Sequence, residues 1–173
     1  MLRYILSFLC IVVGTDTSAE TYQVSTNRME ASFEYVKPSM KVTLTAPNKG
    51  WFLIGFNSDA GLENARLVFV RVVDNMVELE EHRTSFKFPM PYHQINQENT
   101  HRIHLVEYTS DERRSSVTFT FAAQSQNTTQ IDMRKEQPLY ITLAYSNEVD
   151  FNHHSVMRTT IKINEYKPQG DKI

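Results

Sequence analysis

Short apolar runs separated by turn residues run through the chain. Met40, Val42, Leu44 and Ala46 alternate with Lys41, Thr43 and Thr45, the period of two that a half-buried strand requires. Pro47-Asn48-Lys49-Gly50 is turn chemistry and sends the chain back into Trp51 to Phe56. That run lacks clean alternation, which reads as a central strand covered on both faces. Leu67 to Val73 is again nearly continuous in apolar residues. It reaches a tight Asp74-Asn75 corner and an alternating segment, Met76 to His82, the pattern of a two-residue hairpin.

The remaining strands read similarly. Phe33 and Tyr35 alternate with Glu34 up to the Pro38 break. Ile103 to Tyr108 and Val117 to Phe121 form a hairpin across Ser110-Asp111-Glu112-Arg113, with Val117, Phe119 and Phe121 inward and Thr118 and Thr120 outward. Leu139, Ile141, Leu143 and Tyr145 mark another strand, and Met157, Thr159, Ile161 and Ile163 the last. Thr21 to Asn27 reads as a polar lead-in. Thr84 to Thr100, with Pro89 and Pro91, reads as a long surface loop, and Gln124 to Glu136 as a polar connection with room for one helical turn. Roughly nine short strands at this spacing predict an all-β fold, a two-sheet antiparallel β-sandwich with immunoglobulin-like layering. One domain is expected over 20–166, with a disordered tail at 167–173.

The first nineteen residues change the picture of where the chain works. Arg3 gives a positive start, Tyr4 to Val13 an apolar stretch, and Thr17-Ser18-Ala19 a small-residue cleavage site, the features of a signal peptide. The apolar stretch falls short of the roughly twenty residues of a membrane-spanning helix. A secreted, extracellular protein without stable membrane insertion is expected. The only cysteine, Cys10, lies in this segment, so the mature chain has no disulfide and no thiolate chemistry. Asn127-Thr128-Thr129 is a glycosylation sequon. The net charge of −2 provides no basic footprint for nucleic acid.

Candidate chemistry is sparse. Asp59, Glu63 and Asn64, with Asp74 near in sequence, offer oxygen atoms for a hard cation, but their spacing matches no regular calcium motif and suits turn capping. His153-His154 would point to opposite faces of a strand, as would His101 and His104, and neither pair has further zinc ligands, so no metal site is expected. No G-x-S-x-G elbow or other catalytic constellation occurs, and the chain is not expected to be an enzyme.

Gly50-Trp51, Gly55-Phe56, Asp59 and Gly61-Leu62-Glu63-Asn64-Ala65, followed by the apolar strand, resemble the core of a DOMON domain. Arg83, Gln94 and Leu139 to Tyr145 extend the likeness to roughly Ala31–Asn164. The wording is most similar to the N-terminal modules of dopamine beta-hydroxylase-like copper monooxygenases. Arg66 departs from the acidic residue usual after the alanine. The chain length leaves no room for the copper domains, so no hydroxylase activity is implied. Some DOMON modules hold haem b through one Met and one His and transfer electrons. The resemblance puts the Met at Leu62, which cannot bind iron, and the His at His153 or His154. Met29, Met40 or Met90 would substitute only with a different loop geometry. Another branch resembles carbohydrate-binding modules, which stack sugars on exposed rings. Trp51 reads as core, leaving Phe86, Phe88, Tyr92 and Tyr145 as freer rings.

The expectation is a secreted DOMON-type binding or interaction module without a resident cofactor. It would recognise an extracellular protein or glycan through the Thr84–Thr100 loop (Phe86, Phe88, Tyr92) and the Asn57–Asn64 bend (Asp59, Glu63, Asn64). One alternative is a haem b-binding electron-transfer module; another is a truncated paralogue that associates with a full-length hydroxylase.

Overall fold

The computed structural model describes residues 20–86, 93–97, 103–125 and 129–168, with 85–86 and 93–97 described by their backbone. The expected signal segment 1–19, Phe88, Met90, Tyr92, His101, Asn127, the end of the expected tail and the Phe86 side chain therefore lie outside the described residues.

Among these residues there are eleven strands and no helix. They are β1 (Thr21–Ser25), β2 (Glu30–Val36), β3 (Ser39–Pro47), β4 (Trp51–Asn57), β5 (Arg66–Val73) and β6 (Met76–Phe86). Then follow β7 (His93–Gln97), β8 (Ile103–Ser110), β9 (Arg114–Ala122), β10 (Gln137–Tyr145) and β11 (Met157–Tyr166). One sheet has the order β1-β2-β3-β9-β8, the other β11-β10-β4-β5-β6-β7. Every pairing is antiparallel. The expected two-sheet sandwich is therefore the observed fold.

The period-two pattern decides which side chains meet between the sheets. Met40, Val42, Leu44 and Ala46 of β3 and Val117, Phe119 and Phe121 of β9 are all fully buried there. They face Phe52, Ile54 and Phe56 of β4 and Leu139, Ile141 and Leu143 of β10. Ring contacts knit the layers: Phe33 meets Phe56 edge-on at 5.7 Å, and Phe56 meets Phe121 at 5.5 Å. The Asp74-Asn75 corner has φ of 51° and 62°, the left-handed pair that a two-residue hairpin turn needs.

Three expectations need correction. Thr21–Asn27 is not a lead-in: β1 pairs with β2, although only Val24 of it is buried. The Thr84–Thr100 stretch is not all loop, since β6 continues to Phe86 and β7 pairs with it from His82↔Gln97 to Phe86↔His93. Both are edge strands paired through backbone hydrogen bonds, and β1 adds only Tyr22 and Val24 to the core, too few apolar positions to stand out in a polar segment. The described part of Gln124–Glu136 carries no helical turn; it buries Ile131 and Met133 under the sandwich instead.

β4 sits with β10 on one side and β5 on the other, and all seven of its residues are buried. The reading of a strand covered on both faces is correct. The six-stranded sheet thus has a second apolar cluster on its outer side: Trp51, Leu53, Ala65, Leu67, Phe69 and Ala144, with Phe151 packed against it.

Candidate functional site: the outer face of the six-stranded sheet

Alternation puts Trp51, Leu53 and Gly55 of β4, Leu67 and Phe69 of β5, His82 of β6 and Ala144 of β10 on this outer face. The pairings Gly55↔Leu67, Leu53↔Phe69 and Leu67↔His82 bring them side by side. Gly55 leaves no space to spare, because a Cβ there would stand 2.6 Å from Leu67 Cδ2. The rings form a chain: Trp51 to Phe69 at 5.1 Å, Phe69 to His82 at 4.8 Å, and Phe69 to Phe151 at 5.2 Å.

Two loops border this platform at opposite ends of β4, and one of them lays Phe151 over it. The Asn57–Asn64 bend is self-contained: Asn57 Nδ2 donates to the carbonyls of Gly61 at 2.8 Å and Glu63 at 3.1 Å, and Gly61 N–H donates to Asp59 Oδ1 at 2.7 Å. Asn64 takes φ of 58°, and its Oδ1 accepts from the Thr129 hydroxyl. The bend docks on β6, where the Thr84 hydroxyl donates to the Leu62 carbonyl. Thr84 is two residues from His82 on the same strand face.

The other loop, 146–156, is strapped down at its base. Trp51 N–H donates to Glu148 O and Ser146 N–H to Trp51 O. Gly50, at φ 68°, lets the strap pass, since a Cβ would lie 2.3 Å from Ser146 O. Arg71 holds the far side: it pairs with Glu78, donates to Val149 O at 3.1 Å and lies 4.5 Å beneath the Phe151 ring. His153 and His154 follow directly and are exposed at the rim.

Two polar atoms on the platform stand out. His82 is buried, with Nε2 2.8 Å from a Glu80 carboxylate oxygen, while Nδ1 has no hydrogen-bond partner among the described residues. Trp51 Nε1, also buried, has none among them either. Sequence reasoning read Trp51 as core, which is right for its burial, and passed over His82. Glu80 and His82, two apart on an outward strand face, carried the signal.

The other candidates fall elsewhere. Asp59 and Glu63 are exposed, and among the described residues no three His, Cys, Asp or Glu side chains group to hold a metal ion. Met29 and Met40 are sealed between the sheets, away from the platform. His104 is exposed on β8. Tyr145 faces inward and lines a cleft of about 660 Å³ at the corner where the β1–β2 turn (Thr26, Arg28) approaches Met157 and Ile161. No imidazole lines that cleft.

No protein-family model matches the sequence, and no curated protein does. The fold does have solved counterparts. The chain is similar to the cytochrome b domain of pyranose dehydrogenase from Coprinopsis cinerea, with a TM-score of 0.57 at 10% identity over 78% of this chain and 76% of that one. It is likewise similar to the cytochrome domain of Myriococcum thermophilum cellobiose dehydrogenase, with a TM-score of 0.54 at 10% identity over 84% and 82%. These are DOMON-type sandwiches, so the likeness supports that fold while leaving open any closeness to the copper hydroxylases. Among the described residues, no helix is long and apolar enough to cross a membrane.

Proposed function

We propose that the chain is a secreted carrier of b-type haem that passes single electrons, as its fold counterparts are cytochrome domains, and that it does no chemistry on a substrate itself. The observation that carries the reading is an apolar ring platform, bordered by two loops, with a buried imidazole nitrogen on its floor that has no partner among the described residues. The side chains present fit the group: Trp51, Leu53, Leu67 and Phe69 offer planar apolar contact, and imidazoles stand at the rim and on the floor. His153 or His154 would ligate the iron, whereas Leu62 has no lone pair to give. Bound haem would supply a one-electron ferric–ferrous couple. The chain's own part is to orient the group against the platform, limit water through Phe151 and hold the strap with Arg71.

The test is the visible spectrum of the secreted protein, alone and after adding haemin. The expected result is a Soret band that sharpens and shifts on reduction. A featureless spectrum, with haemin bound no better than by an unrelated protein, would remove haem. It would leave the second reading, recognition of an extracellular protein or glycan. That reading draws on Leu62 and on the exposed edge of β8, where Leu105 and Val106 are 47% and 57% exposed.

A further inference from the structure

We infer that His82 is an iron ligand on this platform and takes the part that Leu62 cannot. The inference rests on the haem reading and goes beyond it, because it names a residue of the sheet floor rather than of either loop. A neutral imidazole has one N–H and one lone pair. Nε2 stands 2.8 Å from the Glu80 carboxylate, an acceptor only, so the ring proton belongs on Nε2. The lone pair is then on Nδ1, buried and without a donor among the described residues. A buried imidazole acceptor left unmatched costs free energy on the order of 1–3 kcal/mol. The arrangement is the one that metal-binding histidines use: a carboxylate fixes the tautomer, orients the ring and raises the basicity of the other nitrogen.

Position agrees with chemistry. The Leu62 backbone carbonyl accepts from the hydroxyl of Thr84, which stands two residues from His82 on the same strand face, so the bend and the imidazole share β6. Phe151, whose ring centroid is 6.1 Å from that of His82, is half-buried on the strap and covers the imidazole from the solvent side. Glu80 is a positioning residue here and touches no iron.

Haemin titration of the mature protein and of His82→Phe tests this, with unfolding temperature as the fold control; phenylalanine keeps the ring stack and removes the nitrogen. The wild-type protein should give a six-coordinate, low-spin ferric spectrum. His82→Phe should bind haemin at least tenfold more weakly and turn high-spin, and added imidazole should restore the low-spin spectrum in His82→Ala. Glu80→Gln, which leaves the ligand in place, should keep the low-spin spectrum but raise the reduction midpoint, since a less basic imidazole favours ferric iron less. A folded His82→Phe with wild-type affinity and spectrum overturns the inference and leaves haem binding intact. If both His82 variants fail to fold, an unchanged midpoint in Glu80→Gln overturns it. Failure of the wild-type chain to take up haemin at all overturns the haem reading, and the inference with it.

Discussion

The guanidinium of Arg66 and the carboxylate of Glu81 meet between the two sheets, Nε 2.5 Å from Oε1, and both residues are buried. Arg66 also donates to the Ala122 carbonyl at 2.7 Å and lies 4.5 Å over the Phe121 ring, so one side chain ties β5 to β6 and β9.

A buried pair is costly to break from one side, because the remaining charge is stranded in a low-dielectric interior. Glu81→Ala should lower stability by about 3–5 kcal/mol, while the double change Arg66→Met with Glu81→Leu should recover most of it. Chemical denaturation of the three proteins checks this; equal losses in single and double variants would contradict it.

Gly50 should tolerate no side chain. Gly50→Ala meets both a left-handed backbone and a carbonyl at 2.3 Å, so a loss of at least about 2 kcal/mol is expected. The same change should displace the strap from the platform. Resistance of 146–156 to proteolysis, compared with the wild-type protein, reads that second effect separately from global unfolding.

Arg71 closes the strap from the other side. Arg71→Ala removes the contact under Phe151 and the bond to Val149 O. Its salt bridge with Glu78 is half-exposed and screened by solvent, worth about 1 kcal/mol, so overall stability should change little. The single tryptophan, Trp51, reports on the platform. Its emission should shift to the red and become more accessible to acrylamide, and an unchanged spectrum would show that the strap does not depend on Arg71.

Asp132 gives an acid dependence. The Arg134 side chain, hydrogen-bonded to it, holds its carboxyl down at about 2, against 3.8 in an unfolded chain. A carboxyl depressed on folding stabilises the protein above its unfolded value, and that contribution is lost as pH falls from about 4 to 2. The pair stands at the surface, where screening trims its worth to about 1 kcal/mol. Asp132→Asn should lose that much at neutral pH and converge with the wild-type protein near pH 2; a constant gap across the range would contradict it.

Alternation made the inner strands legible from sequence, because one face of β3, β9 and β10 must be apolar to build a core. It did not reveal β1, where only Tyr22 and Val24 turn to the core from an otherwise polar edge strand, or β7, a polar segment at the other sheet's edge. Nor could it place Arg66, a cation at the head of an apolar run whose partner lies on the neighbouring strand. For the site, the pattern singled out the Asn57–Asn64 bend and His153-His154 but not what lies between them. The hairpin read at Asp74-Asn75 already sets His82 opposite Leu67, but that the 146–156 strap covers this face depends on the long-range pairing of β4 with β10.

The double burial of β4 has a kinetic side. With β10 and β5 bonded along its two edges and apolar layers above and below, no small fluctuation can bring water to its peptide groups. Its amide hydrogens should therefore trade with solvent only when the entire sandwich opens, whereas those of the edge strand β8 should trade through local fraying. The slowest protons in the molecule would then sit directly beneath the ring platform, which makes them a built-in gauge of anything that binds there.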